Sequence, residues 1–200
     1  MKNILGLMAF LATVSASTVA SAGLLVEPYL GYETSATAGN VTVSGTSVDA
    51  GGKITGSELG LRLGYKLPVM VWLALDYSMM SGGKYSGATG FDGKVDRSNL
   101  YFDVGVDLPI LFRVYAGMGL GVTEKYKPDS GAADNTYKGG SSYKLGASFT
   151  GLPFVCINLD YFVNNFATVD SGGTSTNINS FVTGFKDTGM VLNVSLPLNL

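Results

Sequence analysis

A chain of 200 residues with 13 Lys and Arg against 15 Asp and Glu, no histidine and one cysteine carries no net positive charge to suggest nucleic acid or an anionic surface as partner. The single Cys156 excludes an internal disulfide framework and reads as a small strand residue. The length fits one domain.

Taken in chain order, Lys2 precedes an apolar run, Ile4 to Val14, and small residues ending Ala20-Ser21-Ala22. That pattern predicts a secretory signal peptide over residues 1–22, cleaved before Gly23. The remaining domain, 23–200, loses Lys2 and holds 12 basic against 15 acidic residues. No later stretch reaches the roughly twenty apolar residues of a spanning helix. Apolar and small or polar residues alternate instead, which is strand periodicity.

After a first strand carrying Glu27 and Tyr32, a polar loop runs over 34–57. The second strand sets Leu59, Leu61, Leu63 and Tyr65 against Glu58, Gly60, Arg62, Gly64 and Lys66. The third sets Val71, Leu73, Leu75, Tyr77 and Met79 against Trp72, Ala74, Asp76 and Ser78, before a loop over 80–98. The fourth opposes Leu100, Phe102, Val104, Val106 and Leu108 to Tyr101, Asp103, Gly105 and Asp107. The fifth opposes Phe112, Val114, Ala116, Met118, Leu120 and Val122 to Arg113, Tyr115, Gly117, Gly119 and Gly121, with a loop over 123–141. Tyr143, Leu145, Ala147 and Phe149 face away from Lys144, Gly146 and Ser148 in the sixth. Ile157, Leu159 and Tyr161 face away from Cys156, Asn158 and Asp160 in the seventh, and a last loop covers 165–187. Within the loops, Val41-Thr42-Val43 and Ser47-Val48-Asp49 have the character of strand extensions. A Leu-Pro dipeptide recurs with its proline at 68, 109, 153 and 197, so the unit is strand, tight turn, strand, long polar loop.

The fold class that follows is all-β, an eight-stranded antiparallel up-and-down transmembrane β-barrel. A closed barrel pairs every backbone group between strands and needs only alternate side chains to be apolar. A soluble barrel, with the apolar face inside, is the competing arrangement. The polar face is also the glycine face, as a crowded eight-stranded interior demands. The apolar face carries Tyr32, Tyr77, Tyr143 and Tyr161 far from the turns and Tyr65, Phe112 and Phe149 near them, two bands like interfacial girdles.

The final strand places Met190, Leu192, Val194, Leu196, Leu198 and Leu200 on one face, up to the last residue. This resembles the C-terminal insertion signal of bacterial outer-membrane barrels, with Leu200 where that signal usually has Phe or Trp. Together with the signal peptide, eight strands and four long loops, the chain resembles the small barrels of the OmpA, OmpX and OmpW type, without a periplasmic domain. That resemblance implies turns in the periplasm and loops outside the cell. The implied partners are outer-membrane lipids and lipopolysaccharide, the outer-membrane assembly machinery, and an extracellular ligand held by the loops. Enzymatic barrels of this kind use histidine, which is absent here, so no enzyme is expected. No cofactor is expected either, and no carboxylate spacing matches a calcium loop.

The polar face supplies the candidate site. Glu58, Arg62, Lys66, Asp76, Asp103, Asp107, Arg113, Lys144 and Asp160 all point to one side of their strands. Spacing from the turns puts Arg62, Asp76, Asp103 and Asp160 at mid-height, with Lys66, Asp107, Arg113 and Glu27 lower and Glu58 and Lys144 higher. Buried charges persist only when paired or hydrated, and a guanidinium can bridge two carboxylates. The expected arrangement is a salt-bridge network that plugs the lumen, leaving a structural or surface-interaction role to the loops. The alternative is a small pore for ions, solutes or hydrophobic molecules, lined by the same charges and opened where Gly117, Gly119 and Gly121 remove side chains.

Overall fold

A computed structural model describes residues 22–43, 46–49, 51–87, 92–180 and 182–200; the expected signal segment falls outside them except for Ala22. In chain order the strands are β1 (Gly23–Val43), β2 (Thr46–Asp49), β3 (Gly52–Lys66), β4 (Val71–Gly87), β5 (Asp92–Leu108), β6 (Phe112–Pro128), β7 (Asn135–Lys138), β8 (Ser142–Phe149), β9 (Cys156–Asn165), β10 (Thr168–Ser171), β11 (Thr174–Asn177), β12 (Val182–Ser195) and β13 (Leu198–Asn199). Eight of these form the wall, antiparallel throughout, in the order β1, β3, β4, β5, β6, β8, β9, β12. The β1–β12 and β6–β8 pairings close the ring. The chain is thus an eight-stranded up-and-down barrel with five short accessory strands.

At one end the wall strands are joined by the Leu-Pro turns. Met70, Leu111 and Phe154 there adopt φ of 63°, 64° and 67°, one or two residues after a proline whose ring presets the first turn position. A turn closed by a left-handed residue is the usual short hairpin connection, here made without glycine. Pro197 separates β12 from β13 without breaking register, since Ser195 pairs with Tyr29 and Leu198 with Val26. Leu196 donates to the Pro28 carbonyl, so the amide that Pro197 lacks would point away from β1. On that side β9 has already ended at Cys156, and no ladder bond is lost.

Outward-facing Leu59, Leu61, Leu63, Leu73, Leu75, Val104, Leu145, Leu159 and Leu192 are exposed on every side of the barrel. A continuous apolar exterior of this extent belongs against lipid, not water. Tyr32, Tyr65, Tyr77, Phe112, Tyr143 and Tyr161 share this face. Met190 through Leu200, at every second position, face outward as well.

Inside, four cross-strand pairs set an aromatic ring opposite a glycine: Tyr29 with Gly60, Trp72 with Gly105, Tyr115 with Gly146 and Phe162 with Gly189. Each of the eight wall strands takes part once. A Cβ built on Gly60, Gly105 or Gly146 would lie 2.0–2.3 Å from the opposing ring, so only glycine lets these rings lie flat on the neighbouring strand. Gly117 and Gly119 likewise admit Asp103 and Ser142. Neighbouring side chains thus occupy the space that Gly117 and Gly119 leave.

Bulges re-aim the wall toward its loop end. The β5–β6 register slips between Leu100 and Tyr101, opposite Gly121 and Gly119, and the extra residue reverses which face of β6 points inward. As a result Gly121 faces outward and Val122 is buried, the reverse of the strict alternation expected for this strand. A second slip between Met80 and Gly83 turns Tyr85 inward. The expected polar loops are largely strand: β1, β3, β4, β5 and β6 all run into them, and β2 pairs antiparallel with the upper end of β1. Above the end of β8, β6 pairs instead with β7, which carries β10 and β11. Val122, Phe166, Val169, Ile178 and Val182 form an apolar cluster there, flanked by Tyr137 and Phe185.

Gly105→Val should displace Trp72 and cost about 1–3 kcal/mol by overpacking. Gly121→Ala, whose added methyl meets nothing within 4 Å, should stay within about 0.5 kcal/mol of wild type. The midpoint of the heat-dependent gel shift measures both; equal loss in the two variants would contradict the ring-on-glycine packing.

Candidate functional site

Arg62 on β3 occupies the centre of the lower lumen and is fully buried. Its guanidinium meets Glu27 of β1 at 3.2 Å, Asp76 of β4 at 3.1 Å and Asp103 of β5 at 3.4 Å. The rings of Tyr29, Trp72 and Tyr115 surround it, with centroids 5.6, 5.6 and 4.7 Å away. These are three of the rings that rest on glycines. The backbone pairing of small with large residues thus builds an aromatic cage, and cation–π attraction adds to the ion pairs in a buried site.

Neighbouring charges join this centre. Lys144 on β8 pairs with Asp76 and lies 2.8 Å from Asp103, so it belongs to the mid-height cluster and not above it. Arg113 on β6 bridges Glu27 and Asp107, each at 2.7 Å, and Lys66 also pairs with Asp107. Tyr29 donates to Asp76 at 2.8 Å and Ser195 to Glu27 at 2.6 Å. Asp160 is buried and accepts from Asn193 at 2.8 Å; it makes none of the ion pairs. Glu58 is buried toward the lumen and likewise makes no ion pair among the described residues. Seven of the nine expected residues are therefore brought into one ion-pair network, and Asp160 and Glu58 face the lumen outside it.

A second network lies nearer the loop end. Arg97 on β5, also fully buried, pairs with Glu33 of β1, Glu124 of β6 and Asp187 of β12, and lies 5.4 Å from the Phe162 ring that covers Gly189. Between the layers Tyr101 donates across the lumen to Asn164 at 2.7 Å. None of these four ionic residues is among the expected site residues: Arg97, Glu124 and Asp187 lie in the segments 80–98, 123–141 and 165–187 whose polar composition marks them as loops, and Glu33 stands at the edge of the loop expected over 34–57. Continuing the alternation would have found three of them: Arg97 shares the parity of Asp103, Glu33 that of Glu27, and Asp187 that of Asn193. Glu124 carries no such signal, since the β6 bulge changes its parity.

Above Arg97 the barrel opens into a cavity of about 480 Å³. Tyr85, Tyr126, Tyr137, Val169, Ile178, Val182 and Phe185 form its walls, Thr37 and Glu124 lie on wall strands below, and Ser171, Thr174 and Thr176 stand at the rim. Tyr85 meets Tyr126 edge-on at 5.0 Å, and Tyr137 lies 4.9 Å from Phe185. At the rim Lys138 pairs with Asp170 and holds its carboxyl below the ordinary aspartate range. Among the described residues no group of three or more acidic, histidine or cysteine side chains has the arrangement of a metal site; Asp134, a loop carboxylate, pairs with Lys125 at 2.8 Å.

A family model described as outer membrane protein beta-barrel domain matches residues 6–192. Among solved structures, the fold is similar to that of Ail, the attachment invasion locus protein of Yersinia pestis, in complex with the heparin analogue sucrose octasulfate. The identity is 14% and the TM-score 0.53, over 88% of this chain and 99% of that one. It is also similar to the outer membrane protein AlkL, whose structure comes from solid-state NMR in DMPC bilayers. There the identity is 14% and the TM-score 0.57, over 89% and 91% of the two chains. No curated protein matches by sequence. At such identities the likeness is one of fold.

Arg62→Ala removes the cation shared by three buried carboxylates, leaving Glu27 to Arg113 alone and both Asp76 and Asp103 to Lys144, and should lose about 3–5 kcal/mol in urea unfolding from detergent. Lys125→Ala, which breaks only the exposed pair with Asp134, should lose less than about 1 kcal/mol. Similar losses for the two would show that the Arg62 centre contributes no more than a surface pair.

Proposed function

Because the chain belongs to the outer membrane protein beta-barrel domain family, we propose that it is an integral outer-membrane protein acting at the cell surface through its loop end, with a lumen closed to solutes. The observation that supports closure is the pair of arginine layers. Arg62 and Arg97 are both buried, each held by three carboxylates from three other strands. A solute passing down the axis would have to break both sets, leaving unpaired charges in a low-dielectric interior. Eight-stranded barrels of this size fill their lumen with side chains.

In this reading the Leu-Pro turns face the periplasm and the loop end faces outward. The outward face of Met190, Leu192, Val194, Leu196, Leu198 and Leu200 serves as the signal for the assembly machinery. Binding falls to the loop end, where β7, β10 and β11 build the walls of the cavity beside the extended barrel strands. Its aromatic and aliphatic lining over an acidic floor favours a small amphipathic ligand over a strongly hydrated one. Residues on exposed segments held by a rigid scaffold are the usual place for such a function.

Planar-bilayer conductance of the protein, refolded and verified by its heat-dependent gel shift, tests the closed lumen. Folded, inserted protein should show no unitary steps. Reproducible steps would reverse the reading and make the two networks the lining of a path.

A further inference from the structure

The outward face above the apolar belt changes character in the same sequence on four adjacent strands. Moving toward the loop end, β3 presents Leu59, Ser57, Thr55 and Lys53, and β4 presents Met79, Ser81 and, past its bulge, Lys84. On β5 the same face carries Leu100, Ser98, Asp96 and Lys94, and on β6 Leu120, Thr123, Lys125 and Lys127. Apolar side chains give way to hydroxyls and then to ammonium groups, with the Asp96 carboxylate between the two on β5.

The strand register aligns those ammonium groups. Lys84 sits directly opposite Lys94, and Lys94 directly opposite Lys127. Lys53 lies two residues along from Thr55, the partner of Lys84, on the same face. Four strands at the usual spacing make a row about 14 Å long. Like charges directly opposite on one sheet face are destabilising, and within the fold this row is poorly compensated. Lys53, Lys84 and Lys94 are exposed, and none has a carboxylate within 4 Å among the described residues. Asp96 is taken by Lys127 and by the Gly82 amide, which together hold its carboxyl below the ordinary range. Lys125 is taken by Asp134. Asp92, two residues from Lys94 on the same face, and Asp129, whose amide donates to the Asp92 carbonyl, are the remaining acids nearby.

We propose that Lys53, Lys84, Lys94 and Lys127 form a binding surface for the phosphate groups of an anionic glycolipid in the outer leaflet. The order of layers argues for a lipid: the same strands that present apolar groups to acyl chains present hydroxyls at the level of sugars and cations beyond them. The row also lies on the side of the wall that faces neighbouring lipid, away from the cavity at the mouth. A net charge of −2 hides this patch, because most of the acids point into the lumen while these lysines point out.

The test compares wild type with a Lys53→Gln, Lys84→Gln, Lys94→Gln triple variant in phosphatidylcholine vesicles, with and without diphosphorylated lipid A, reading the midpoint of the heat-dependent gel shift. The three side chains are exposed, so the variant should fold; in phosphatidylcholine alone its midpoint should equal or exceed that of wild type, since repulsion has been removed. Adding lipid A should raise the wild-type midpoint by roughly 5 °C and leave the variant nearly unchanged. Lys186→Gln, on the outward face of β12, should behave as wild type. An equal rise in the triple variant, or an equal rise with dephosphorylated lipid A, overturns the proposal. A rise of the same size with dextran sulfate in place of lipid A overturns the lipid assignment and makes the row a site for a soluble polyanion.

Discussion

The interior of an eight-stranded barrel has to be filled, and here the filling is organised around one buried cation. Arg62 cannot stay charged in that interior without carboxylates, and Glu27, Asp76 and Asp103 arrive from three different strands. The guanidinium also needs a close-fitting shell, which Tyr29, Trp72 and Tyr115 supply. Those rings reach the axis only by crossing strands that carry glycine opposite them. Glycine positions, ring orientation, ion pairing and strand register are thus one constraint. A slip of one residue between any of these strand pairs would put a side chain where a ring must lie and would turn a charge outward into lipid.

The second layer repeats the device with fewer parts. Arg97 draws Glu33, Glu124 and Asp187 together, and Phe162 lies over Gly189 beside it. The bulges in β4 and β6 make the change between layers possible. They rotate the upper strand segments so that Glu124, Tyr126 and Tyr85 face inward. Without the β6 bulge, Glu124 would leave Arg97 and Val122 would leave the apolar cluster. The same insertions therefore complete the upper ion cluster and furnish the aromatic walls of the mouth. This ties the proposed closed lumen to the proposed binding cavity above it.

Charge is sorted by direction as well as by height. Toward the axis, acids outnumber bases near Arg97; on the outer wall of β3 to β6, lysines outnumber acids. A whole-chain net charge averages over this separation, which explains why composition argued against an anionic surface partner while the local register points to one.

Strand periodicity, the four Leu-Pro turns and the sorting of apolar from small and polar positions were legible in the amino-acid order, because side chains alternate with period two whatever the strand's neighbours. So were the lumen positions of Arg62, Asp76, Asp103, Arg113 and Lys144, which follow from parity alone. Their partners were not. Which carboxylate meets which cation depends on register and on closure between β1 and β12, and these bring together residues as distant in sequence as Glu27 and Arg113. The loop end was least legible. Bulges break the period that parity reading relies on, and the pairing of β6 with β7 and of β7 with β10 joins polar segments with no apolar alternation of their own. The amino-acid order determined a barrel and the contents of its lower lumen, because both rest on local alternation. Only the tertiary structure decided the ion-pair partners, the cavity at the mouth and the lysine row, because each depends on how separate strands are set against one another.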